Sequence, residues 1–133
     1  MGITRGFNRA HLVRATLESM AYQALDIVRA MERDSGIAIT ELKVDGGASA
    51  NDFLMQFQAD ILDGCVYRPS CIETTALGAA YLAGLAVGYW ESTDDIRANW
   101  AVDRVFAPQM GDSRRAELVS GWHQAVECCL HWK

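Results

Sequence analysis

The chain has 133 residues, a common size for one domain and long enough to bury a core, so two domains are not expected. Half of its residues are hydrophobic and 22% are charged, a globular composition far from a disordered or collagen-like one. A net charge of -5 and the lack of any Lys/Arg run argue against a nucleic-acid partner. The longest apolar stretch, Ala76 to Tyr89, is broken only by glycines and is too short to span a bilayer, and the first residues lack a charged-then-apolar leader pattern. A soluble, cytoplasmic protein with no membrane partner is expected.

Along the chain, Val13, Leu17, Met20, Ala24, Val28 and Met31 recur at steps of three and four. They predict a long amphipathic helix from Asn8, its cap, to about Arg33, with Gly36 just past its end. Ile39 to Val44 alternates as a short strand, with Leu42 and Val44 on one face. Gly46-Gly47 follows, and Ser49 with Asp52 resembles a capping box for a second helix with Leu54, Phe57, Ile61 and Leu62 inward, ending at Gly64.

Cys65 to Arg68 reads as a second strand closed by Pro69, and Thr74 or Thr75 can cap a third helix running to about Val87. That helix carries Gly78, Ala79, Ala80, Ala83, Gly84 and Ala86, so close packing is the expected use of its missing bulk, with a ligand wall as the alternative. Ser92 with Asp95 marks a further short helix, Arg104 to Pro108 is extended, and Asp112 can cap a last helix with Leu118, Trp122, Ala125, Cys129 and Leu130 inward.

Alternating strands and helices imply an α/β layer structure with short parallel strands and packed helices. Two strands bury too little surface to stand alone, so either Val102 to Phe106 forms a third or other chain completes the sheet. The four cysteines, Cys65, Cys71, Cys128 and Cys129, have no C-x-x-C spacing and read as reduced, partly buried thiols. His11, His123 and His131 include no i, i+4 pair, and no metal site is expected.

The chemical motifs narrow the function by exclusion. The P-loop pattern is missing, the glycines around residue 46 lack the dinucleotide spacing, and no nucleophile elbow surrounds any serine. What remains is the strand–Gly46-Gly47–helix junction. Two successive residues without Cβ let a ligand lie against the backbone, whereas the bland reading is an ordinary strand-to-helix turn. Asp45 at the strand end either organises that turn or acts as a base, and Asn51 either caps the second helix or hydrogen-bonds a purine.

Val44-Asp45-Gly46-Gly47-Ala48 with Asn51, continuing through Leu54-Met55-Gln56-Phe57-Gln58-Ala59-Asp60-Ile61-Leu62, resembles the adenosine-binding segment of glycerol kinases in the FGGY carbohydrate kinase family. Gly2-Ile3-Thr4-Arg5-Gly6, Arg14-Ala15-Thr16-Leu17-Glu18-Ser19 and Thr75 to Ala86 resemble the same enzymes in the same order. The resemblance implies part of an actin-like, ribonuclease-H-like ATPase domain without its N-terminal hairpin strands. Residues 1–133 would then be the C-terminal part of the family's C-terminal, nucleotide-binding domain. It also implies ATP with Mg as the cofactor of the whole enzyme, and glycerol as a substrate held by an N-terminal half absent from this chain.

By the same resemblance Gly46, Gly47 and Ala48 lie against the nucleotide and Asn51 bonds the adenine. No catalytic residue falls in the chain. A fragment that does not catalyse by itself is expected, since phosphoryl transfer depends on positioning and charge stabilisation from both sides of a cleft. The alternative is a non-catalytic α/β module that forms a homo-oligomer through an open sheet edge.

Overall fold

The computed structural model describes residues 2–131. The first helix, α1, spans Arg9–Ser35 and is capped at both ends as its sequence dictates. Asn8 Oδ1 accepts from the amides of Ala10 and His11, and His11 Nδ1 accepts from the Asn8 amide in return. Gly36 closes the helix at φ 70°, its amide donating to the Glu32 carbonyl.

The inward face of α1 differs from the predicted stripe. Ala21, Tyr22, Leu25 and Val28 are buried, with Leu17 packed at their edge, while Val13, Met20 and Met31 are exposed. Leu17, Ala21, Leu25 and Val28 also follow steps of three and four, so periodicity alone admits both faces. The contact with the second helix, α2 (Asp52–Leu62), selects between them.

Strand β1 (Glu41–Lys43) pairs in parallel with β2 (Cys65–Pro69), with Leu42 beside Val66. Strand β3 (Val102–Phe106) is the third strand that the two-strand deficit called for. It lies antiparallel to β2, so the sheet, ordered β1-β2-β3, is mixed and not wholly parallel. The register slips between Arg68 and Pro69, where proline offers no amide to the ladder.

The core lies between the sheet and α1 and α2. Leu54, Phe57, Ala59 and Ile61 from α2 meet Ala21, Tyr22 and Leu25 from α1, with Val66 and Phe106 from the sheet. Helix α2 ends on Asp63 in the left-handed region (φ 56°), one residue before the glycine predicted to stop it. Gly64 serves a different need: a Cβ there would stand 2.8 Å from the Thr40 carbonyl, where the chain entering β1 crosses.

Helix α3 (Thr74–Ala86) starts from Glu73 without a side-chain cap; Thr74 and Thr75 lie inside it. It buries none of its residues, contrary to the close packing expected of its small side chains. The one local exception is Gly84, where a Cβ would run into the Trp90 indole. Helix α4 (Thr93–Ala98) has the predicted Ser92–Asp95 capping box.

Helix α5 (Asp112–Leu130) is capped by Gly111, while Asp112 pairs with Arg115 at 2.8 Å. Its inward residues are Val119, Leu118 and Trp122; Cys129 and Leu130 are exposed. Trp122 stacks on Tyr22 with ring centroids 5.3 Å apart, and Tyr22 meets Phe57 edge to face. Cys65 is half-buried, but Cys71, Cys128 and Cys129 are exposed, so only one thiol is sheltered as expected.

Asp26 on α1 ties down α5: its two oxygens accept from Trp122 Nε1 at 2.8 Å and His123 Nε2 at 3.1 Å. Burial pushes this carboxyl up, but the hydrogen bonds from Trp122 and His123, with the nearby His123 and Arg29 charges, outweigh it and hold it below the usual 3.8. A depressed carboxyl stabilises the fold fully above its unfolded value and loses that contribution as the pH falls through the folded value. Urea unfolding between about pH 6 and about pH 2 is therefore expected to show a steeper acid loss in the wild type than in Asp26→Asn. Parallel pH profiles would remove Asp26 as the latch.

Candidate functional site

The double glycine stands at the carboxyl end of β1, but it does not open α2 directly. Gly46 has φ 76° and ψ 171°, a conformation that glycine alone adopts without strain. Its amide donates to the Ile72 carbonyl at 2.8 Å, which ties the turn to the segment before α3. A short 3₁₀ turn, Gly47–Ala50, then separates it from α2.

Ser49 is not the cap of α2. Its hydroxyl donates back to the Gly46 carbonyl at 2.7 Å and its side chain is buried inside the turn. Asn51 caps the helix instead, Oδ1 accepting from the Leu54 amide at 3.0 Å. Among the described residues the Asn51 amide nitrogen donates to nothing, so capping leaves one end of the side chain available. Among the described residues Asp45 bonds no amide of the turn, contrary to the backbone-organising role; it accepts a hydrogen bond from the Thr74 hydroxyl at the start of α3.

Gly47, Ala48 and Asn51 are exposed, and Gly46 is half-buried. A Cβ built on either Gly46 or Gly47 meets nothing within 4 Å. The backbone at Gly46 and Gly47 is thus open to approach, and Ala48 and Asn51 close by in the chain are exposed as well. Two grooves lie elsewhere, one of about 810 Å³ between α1 and α5 and another of about 630 Å³ along the first turns of α1.

The residues behind this turn carry no local signal in the sequence. Arg68, on β2, sends Nη1 to the Ser49 carbonyl at 3.1 Å and to Asp52 at 2.7 Å, and Nε to Asp103 on β3 at 2.7 Å. Arg104 takes the other oxygen of Asp52 at 2.6 Å, and both guanidinium groups lie over the Phe106 ring. The hydrogen bond from Arg68, with the charge of Arg104, holds the Asp52 carboxyl below its usual range. These partners are 16 to 52 positions apart in sequence, and no local pattern announces them.

The family profile for the C-terminal domain of the FGGY family of carbohydrate kinases matches residues 1–87, which include the whole turn. The chain belongs to this family. Among curated relatives, glycerol kinase of Lachnoclostridium phytofermentans is 60% identical over 132 residues, covering 99% of this chain and 26% of its own length. Glycerol kinase 1 of Clostridium tetani is 60% identical, over 100% of this chain and 27% of its own. The chain therefore spans about a quarter of the length of these relatives.

Among solved structures, Plasmodium falciparum glycerol kinase with ADP superposes with a TM-score of 0.86 at 38% identity, covering 100% of this chain and 27% of that one. A xylulose kinase from Rhodospirillum rubrum, at 24% identity and a TM-score of 0.71, shares the fold over 99% of this chain and 28% of its own. The FGGY chain thus has part of the actin-like ATPase fold of sugar kinases, with helices packed on a short sheet. Among the described residues no helix is long and apolar enough to cross a membrane.

Proposed function

We propose that this chain contributes the adenosine-binding wall of an ATP-dependent glycerol kinase, with Gly46, Gly47 and Ala48 against the nucleotide and Asn51 bonding the adenine. It corresponds in this reading to the later part of the C-terminal domain. The observation that carries it is the superposition of the whole chain, turn included, on a glycerol kinase whose structure holds ADP. The open face over Gly46 and Gly47 and the free amide of Asn51 fit a flat polar ring and its sugar.

The chain's own residues supply binding and orientation. The turn offers backbone in place of side chains, and Asn51 offers its two amide N–H donors at a fixed point because its oxygen is already held by Leu54. Bound ATP supplies the phosphoryl group. The carboxylates beside the turn are engaged, Asp45 by Thr74 and Asp52 by two arginines, so no Mg ligand is assigned to this chain. Glycerol contacts and the acid–base group belong to the portion of the relatives that this chain does not match.

A coupled assay with glycerol and Mg-ATP tests the division of labour. No turnover by the purified chain is expected; turnover at an ordinary kinase rate, above about 1 per second, would sink the one-wall reading.

A second reading has its own support in the exposed outer face of α3, where Leu82 is 72% exposed, and in the outer edge of β1, which no strand pairs among the described residues. Self-assembly through that edge would make the chain an interaction module. The edge spans only three residues, which limits the ladder it can offer. Light scattering that finds a monomer at high concentration removes this reading.

A further inference from the structure

We infer that Arg68 is the positioning residue of the nucleotide-facing turn, its guanidinium holding Gly46–Asn51 in one geometry before any ligand arrives. The role rests on the proposed nucleotide reading, but the geometry behind it does not. Among the described residues Arg68 is the one side chain from the sheet that bonds the backbone of the 3₁₀ turn, at the Ser49 carbonyl. The same guanidinium bonds Asp52, in the first turn of α2, and Asp103 on β3. Three elements that meet at the turn are therefore referred to a single planar group.

That group is well placed to be rigid. The Arg68 side chain is only 13% exposed, whereas the carboxylates it binds are about half exposed. Its lower face rests on Phe106, which is 2% exposed, with the guanidinium carbon 5.3 Å from the ring centroid. A fork of fixed N–H directions can satisfy all three acceptors at once; a lysine ammonium at the end of a flexible stem cannot.

Arg104 is a partial duplicate. It neutralises the second oxygen of Asp52 but makes no bond to the turn backbone, and it is half exposed. Among the described residues Arg68 alone hydrogen-bonds from the sheet to Ser49, whose amide and hydroxyl both close on Gly46. The chain of contacts runs from the Phe106 ring through Arg68 and Ser49 to the carbonyl of the glycine proposed to face the nucleotide.

Amide hydrogen exchange with an ADP titration tests the assignment. In Arg68→Met, the amides of Ser49 and Asn51, bonded to the Gly46 and Ala48 carbonyls, are expected to exchange at least about tenfold faster, with Leu25 and Ile61 unchanged. ADP is expected to bind at least about threefold more weakly, since a loosened turn must be ordered on binding. Arg97→Met, which removes an exposed pair with Asp94, is the charge control and should change neither.

If Arg68→Met does not fold, Arg68→Lys carries the same two readings, with a smaller loss expected because the charge remains. Unchanged exchange at Ser49 and Asn51 overturns the assignment, as does undiminished ADP affinity in a variant whose turn has loosened. A wild-type chain that ignores ADP removes the nucleotide reading, and the exchange rates still decide whether Arg68 holds the turn.

Discussion

Phe106→Ala is expected to destabilise the fold by about 3–5 kcal/mol, the usual cost of truncating a buried aromatic ring. Phe106 ends β3, is 2% exposed, and joins the core shared by α1, α2 and β2. Its ring also carries the guanidinium groups of Arg68 and Arg104, so truncation opens a cavity and removes the platform under the turn. Against a total stability on the order of 5–15 kcal/mol, such a loss leaves a marginal fold. Urea unfolding of the two proteins measures it, and a difference under about 1 kcal/mol would show that the core is centred elsewhere.

Gly46→Ala and Gly47→Ala are expected to behave differently although the residues are neighbours. At φ 76° and ψ 171°, an alanine at position 46 is strained by its own backbone and should cost about 1–3 kcal/mol. Position 47 lies inside the 3₁₀ turn, has no positive φ, and leaves its Cβ in open space, so the change should stay within about 0.5 kcal/mol. The added methyl nevertheless stands on the face proposed for the nucleotide. Gly47→Ala should therefore weaken ADP binding without weakening the fold, and equal losses of stability at both positions would contradict the backbone assignment.

Much of the fold is legible in the sequence because the relevant signals are local. Asn8, Gly36 and the Ser92–Asp95 box mark helix ends through bonds to residues three or four away. The Gly46-Gly47 junction is equally local, since positive φ at the end of a strand demands glycine. At the start of α2 the sequence offers two caps, the Ser49–Asp52 box and Asn51; Asn51 takes the role, because the hydroxyl of Ser49 closes backwards on Gly46.

The unread parts depend on partners far along the chain. Arg68 looks like one charged residue in a short strand until β3 brings Asp103 beside it and α2 brings Asp52. The inward face of α1 is decided by where α2 and α5 cross it. For α3, composition predicts close packing, yet among the described residues little besides Trp90 comes to meet it.

The most direct test of the nucleotide-facing turn is an ADP titration of the isotope-labelled chain followed by amide chemical shifts. Saturable shifts confined to Gly46, Gly47, Ala48 and Asn51, weak in affinity and reduced in Gly47→Ala, are the expected result. Shifts centred on the α1/α5 groove around Arg29 and His123, or no shift at millimolar ADP, would contradict it.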